Sequence, residues 1–201
     1  MSIGSIPAHD EASPENVAVI VARAGRGDQV AWAELIRLYA RRVYAFGKSR
    51  LGDPEAAEEL TQSVFATVAE KLPRQGYQEQ GRFEAWLFRI AGNRLRDEMR
   101  RRKRRGTQVE IREEDASQTT ADQRETSDEL GALRAAIEKL PEADQQVVNM
   151  RHHAQLSFKQ IAEILDEPVG TLLARHHRAL KKLREMMETD TRSGKMTGSR
   201  S

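Results

Sequence analysis

The chain has 201 residues, 38% of them hydrophobic and 32% charged, with a formal net charge of +2 and no cysteine. That composition admits one ordinary domain or two small ones and excludes disulfides, thiol nucleophiles and thiolate metal sites. No apolar run approaches the roughly 18 residues of a membrane span, and the opening MSIGSIPAHDEASPEN carries acids where a secretory signal carries basic and apolar blocks, so a cytoplasmic protein is expected.

Taken in chain order, residues 1–14 read as a disordered tail. A short helix is expected from Pro14 to Ala24, ended by Gly25-Arg26-Gly27. Asp28 can cap a second helix in which Trp32, Leu35, Ile36, Tyr39, Val43 and Phe46 recur at three- and four-residue spacing. Asp53-Pro54 pairs a capping residue with a proline suited to the first helical turn. The helix it opens puts Leu60, Val64, Val68 and Leu72 on one stripe before Pro73. A long helix from about Phe83 to Arg105 turns Phe83, Trp86, Leu87, Ile90, Leu95 and Met99 inward and ends in arginines that should project beyond the core. Residues 15–105 thus read as one small helical domain.

Residues 106–127 lack apolar periodicity and read as an acidic flexible linker. Charge is uneven about it. Arg94 to Arg105 holds eight basic residues against Asp97 and Glu98, a net of +6, whereas Gly106 to Glu129 has a net of −6. Beyond the linker, helices are expected over about Asp128–Lys139 and Glu142–His152. Ser157-Phe158-Lys159-Gln160 fits a capping box, with Ile161, Ala162 and Leu165 on the buried side. After Asp166-Glu167-Pro168 a basic helix is expected over about Val169–Met187, and Pro168 to Arg184 carries five basic residues and no acid. Helix, tight turn and basic helix make a helix-turn-helix, whose second helix normally enters the major groove. The expected fold is all-α: two small helical domains, 15–105 and 128–188, joined by the linker, the second a helix-turn-helix, with a disordered tail over 189–201.

Three ordered motifs carry a family resemblance. Asp53-Pro54-Glu55-Ala56-Ala57-Glu58-Glu59-Leu60-Thr61-Gln62-Ser63-Val64-Phe65 resembles the second conserved region of sigma factors, which grips the clamp coiled coil of RNA polymerase. Phe83-Glu84-Ala85-Trp86-Leu87-Phe88-Arg89-Ile90-Ala91-Gly92-Asn93 and the arginine run resemble the promoter-melting segment. Leu140-Pro141-Glu142, Leu156 to Leu165, Gly170-Thr171 and Arg175 to Ala179 resemble the fourth region. Without room for the central spacer domain of larger sigma factors, the chain resembles the extracytoplasmic-function group.

The resemblance implies an initiation factor and not an enzyme. Such a factor is expected to bind the polymerase core at the clamp coiled coil and the flap, to recognise promoter DNA at the minus-ten and minus-thirty-five elements, and to have an anti-sigma factor as a partner. Asp53, Glu59, Leu60, Gln62, Ser63 and Phe65 become the polymerase-binding candidates, although Leu60 and Phe65 also fit ordinary core. Tyr77, Phe83, Asn93, Arg94, Arg96, Arg100 and Arg101 become candidates for the downstream element and its melting, which needs stacking walls and an amide for a base edge. Trp86, at its helical spacing, is read as core. Lys159, Thr171, Arg175, His176, Arg178 and Lys181 become candidates for upstream readout.

Leu173 and Ala174 depart from the family pattern of polar residues and cannot hydrogen-bond a base; Leu173 could touch a thymine methyl. Asp166 stands where a turn glycine is usual and tolerates the left-handed conformation. His152-His153 and His176-His177 do not chelate as adjacent pairs, because neighbours on a helix diverge by about 100°. No metal or cofactor is expected. A conventional regulator or a hydrolase built on Glu58-Glu59 are the rival readings; co-purification with core polymerase separates all three.

Overall fold

The computed structural model describes residues 14–74, 82–106 and 131–197. The described residues form helices only: α1 (Pro14–Gly25), α2 (Gln29–Leu51), α3 (Pro54–Arg74), α4 (Phe83–Gly106), α5 (131–138), α6 (Glu142–His152), α7 (Phe158–Leu165) and α8 (Val169–Thr197). The expected linker over 106–127 lies almost wholly outside the described residues, as do Tyr77 and residues 1–13.

Local chemistry sets the helix ends. The Asp28 carboxylate accepts from the Val30 and Ala31 amides, 2.9 and 3.2 Å away, and opens α2. Gly52, at φ 71°, closes α2 in a left-handed conformation that a side chain would strain. Asp53 Oδ1 accepts from the Glu55 amide at 3.0 Å and opens α3. Ser157 and Gln160 form a reciprocal capping box at the start of α7, and Asp166 ends that helix at φ 56°, ψ 43°. The anticipated left-handed aspartate is therefore present.

Helices α1 to α4 enclose Ile20, Leu35, Val43, Phe46, Val64, Val68, Leu72, Leu87 and Phe88, all buried. Gly47 lets α2 and α3 approach closely: a Cβ there would lie 2.6 Å from Leu60 Cδ2. Ile36, expected on the inward stripe of α2, is 45% exposed instead. Leu35 and Tyr39 already fill the space against the neighbouring helices, and the stripe is narrower than the periodicity suggests.

The second unit packs α6, α7 and α8 together, and its core is continuous with the first. Val147, Met150, Ala154, Leu156, Ile161 and Leu172 belong to the same buried cluster as the α1–α4 residues. A smaller cluster of Ala136, Leu140, Val148, Ala179 and Leu183 joins α5, α6 and α8. The last helix differs from the expected tail over 189–201: α8 continues past Met187 to Thr197. No proline interrupts that stretch, and extending an existing helix needs only one new hydrogen bond per residue fixed.

Candidate nucleic-acid interface

The expected polymerase-facing motif divides between two sides of α3. Leu60 is buried among Val64, Val68 and Leu72, and Phe65 is half-buried against the same core. Leu60 is therefore corrected from contact residue to core. Glu59, Gln62 and Ala66 are exposed, and Ser63 beside them is half-buried. Glu59 lies three and four residues before Gln62 and Ser63, and Ala66 four and three after them, so the four share one face. Asp53 stands apart from that face. It caps α3 and accepts from Arg102 of α4 at 3.0 Å, and the Arg102 hydrogen bond holds its carboxyl below the usual aspartate range. Arg102 also bonds Glu98 at 3.1 Å and the Leu51 carbonyl at 3.2 Å.

On α4, Phe83 is 1% exposed and lies 5.6 Å from the Tyr39 ring and 5.9 Å from Trp86, centroid to centroid. It is a core residue and has no surface to offer an unpaired base, which corrects the expectation. Trp86 is half-buried against the core, in line with its reading as packing. Asn93 is exposed and accepts from Arg96 at 2.9 Å, whereas Arg94 donates to Thr67 Oγ1 at 2.9 Å. Arg100, Arg101 and Arg104 are exposed along the last turns of the helix.

In the helix-turn-helix, Lys159, Thr171, Arg178 and Lys181 are exposed. Arg175 is not. Its guanidinium pairs with Glu167 at 2.9 Å and lies 3.8 Å from Asp144, leaving the side chain 18% exposed. It therefore ties the turn and α6 to the recognition helix, and its donors are directed inward rather than to a base edge. His176 is half-buried, its Nε2 2.9 Å from His152 Nε2, with the two rings stacked and Phe158 packed edge-on. Burial is the main cause that lowers the pKa of both imidazoles, with Arg151 adding repulsion. Among the described residues no group of three or more His, Cys, Asp or Glu could hold a metal ion.

Sequence reasoning missed the residues that join the two units. Arg42 of α2 donates to the Ala154 carbonyl at 2.9 and 2.6 Å, lies over the rings of Tyr39 and Phe88, and pairs with Glu84. Gln160 of the capping box donates to Glu84, and Arg89 donates to the Glu163 carbonyl near the end of α7. The partners that bond across the two units lie 74 to 112 residues apart in sequence, so no local pattern announces them. No helix among the described residues is long and apolar enough to cross a membrane.

The Sigma-70 region 2 family matches residues 35–105, and the Sigma-70, region 4 family matches residues 130–183. The ECF RNA polymerase sigma factor SigE of Mycolicibacterium smegmatis is 34% identical over 180 residues, 87% of this chain and 68% of the relative. SigW of Bacillus subtilis is 29% identical over 173 residues, 81% of this chain and 91% of the relative. Among solved structures, CnrH in complex with the cytosolic domain of CnrY shares the fold at TM-score 0.64 and 22% identity, over 86% of this chain and 97% of that one. The sigma factor RpoE in complex with the anti-sigma factor NepR from Bartonella quintana shares it at TM-score 0.59 and 22% identity, over 79% of this chain and 97% of that one. With both conserved regions matched in order, one on each helical unit, the chain belongs to the sigma-70 family, as an extracytoplasmic-function RNA polymerase sigma factor that recognises promoters and starts transcription.

Proposed function

We propose that the exposed face of α3, with Glu59, Gln62 and Ser63 at its centre, is the contact with the clamp coiled coil of core polymerase. The observation that carries this reading is the two-sidedness of α3. Its apolar stripe is fully engaged in the core, yet the motif residues on the opposite side point outward around the small Ala66. Asp53 acts indirectly, by capping α3 and anchoring it to α4 through Arg102.

Arg96, Arg100 and Arg101 hold promoter phosphates along α4, with Asn93 positioned for an unpaired base near the downstream element. Arg94 lies beside them, tethered to Thr67. Thr171, Arg178, Lys159 and Lys181 of the second unit meet the upstream element, and the polymerase flap holds that unit in place. The chain acts in the cytoplasm without catalysing a reaction itself. An anti-sigma factor is the expected antagonist, as one accompanies RpoE of Bartonella quintana.

Pull-down with core polymerase tests the α3 assignment. Glu59→Lys combined with Gln62→Ala should weaken binding by a few kcal/mol, the usual scale for reversing a charge at an interface. Unchanged affinity with helicity retained would refute it.

A further inference from the structure

In its first turns the recognition helix turns few groups outward that can hydrogen-bond. Leu172, Ala179 and Leu183 are buried and define the inner side of α8. At about 100° per residue, Gly170, Thr171, Leu173, Ala174 and His177 fan out over the opposite side in the first turns, and all five are exposed. N-terminal residues of this helix are the ones that meet base edges in a helix-turn-helix. Of the five, only Thr171 and His177 carry a polar side-chain atom. Arg175, the first arginine of the helix, is held by Glu167 and Asp144. Leu173 is 47% exposed, and Val169 at 40% and Leu180 at 39% continue an apolar strip on its flank. Arg184 and Lys181 follow that strip on its outer side, and Arg178 and Lys182 carry exposed positive charge on the other flank of the helix.

We infer that Leu173, with Ala174 beside it, reads thymine in the upstream promoter element by packing on the C5-methyl group. Cations on both flanks of the outward face match the phosphates on the two sides of a groove, so the occupant they favour is duplex DNA. In the major groove, the thymine methyl is the apolar feature that distinguishes one base pair from another. Insertion of the helix therefore gives Leu173 a partner of its own chemistry. Arg175 acts as a positioning residue, fixing the turn so that Leu173 arrives at the groove floor. The inference rests on the upstream-reading role proposed for α8.

The test uses holoenzyme assembled from core polymerase and the full chain. An upstream element is first selected from promoter duplexes randomised at that site. It is then remade with deoxyuridine in place of each thymine in turn, which removes one methyl group and nothing else. One of these replacements should weaken binding roughly fourfold, the factor that one buried methyl group supplies. Leu173→Ala should weaken binding to the thymine duplex and abolish the distinction between thymine and uracil, and Leu173→Arg should shift selection at that position towards guanine. A selected element lacking thymine, or equal binding of thymine and uracil duplexes by the unsubstituted protein, overturns the inference. So does a Leu173→Ala variant that still discriminates, or one that binds core polymerase less tightly in the absence of DNA, since the leucine would then face a protein. Holoenzyme indifferent to scrambling of the whole upstream element would instead remove the promoter-reading role of α8, and the inference with it.

Discussion

Arg175 and His176 sit side by side where sequence places upstream readout, and both face inward. Arg175 joins the recognition helix to the turn through Glu167 and to α6 through Asp144. His176 stacks on His152 where α6 meets α8, with Arg151, His153 and His177 nearby and Phe158 against its edge. Two imidazole nitrogens 2.9 Å apart share one hydrogen bond only while at least one ring is neutral. Burial lowers the pKa of His152, His153 and His176 in the folded protein. A base whose folded pKa lies below its unfolded value stabilises the fold above the unfolded value, near about 6.5, and loses that contribution as pH falls from there through the folded value. The melting temperature of the protein should accordingly drop between pH 7.5 and pH 5.5. His176→Gln should flatten that dependence; an unchanged pH profile in the variant would show that the pair does not report the titration.

At the scale of a helix, α4 uses chemically equivalent arginines for two purposes. Arg102 is fastened to Asp53, Glu98 and the Leu51 carbonyl and so braces α4 against the start of α3. Arg100 and Arg104 are one turn apart on the exposed side. Replacing both by Ala should weaken holoenzyme binding by a similar factor on every promoter and reduce the salt slope by about one for each phosphate no longer neutralised. Arg102→Ala should instead lower the melting temperature while leaving the salt slope nearly unchanged. A titration series at several salt concentrations, paired with thermal melts, separates the two roles. If all three substitutions alter the salt slope alike, the bracing role assigned to Arg102 is wrong.

Across the whole molecule, the two units meet through a mixed surface rather than a purely apolar one. Arg42, Glu84, Gln160 and Arg89 supply its polar interactions, at partly exposed positions that salt screens. Asn149 is a buried polar residue of this interface. It is 1% exposed, and neither atom of its amide bonds to another described residue. It lines a cavity with Phe46, Arg50, Gly92, Leu95, Arg96 and Met99 of the first unit. A buried amide left without a partner costs about 1–3 kcal/mol, a cost that an apolar side chain at this position does not carry. Arg42→Ala should increase the radius of gyration of the free protein in small-angle scattering, as should high salt. Asn149→Leu should have the opposite effect and lower the apparent affinity for core polymerase, which must compete with closure. A radius indifferent to Arg42→Ala and to salt would mean that apolar packing alone holds the units together.

Several features depend only on neighbours in sequence, and these were legible without the fold. The caps at Asp28, Asp53 and Ser157, the left-handed Asp166 and the stripe of Leu60, Val64, Val68 and Leu72 follow from backbone hydrogen-bonding needs and helical period. The ordered motifs lay within single helices or turns, and the family was readable from them. Tertiary structure decided which residues remain available to a partner. Phe83 and Leu60 match a functional motif but give up their surface to packing, and Asp53 and Arg175 keep their charge but commit it to intramolecular pairs. Local sequence cannot set these outcomes, because each depends on a partner brought in by folding: Tyr39 44 residues from Phe83, Arg102 49 from Asp53, Asp144 31 from Arg175. A side chain's type fixes the chemistry it can perform, and the neighbours that folding brings to it fix whether that chemistry is still free.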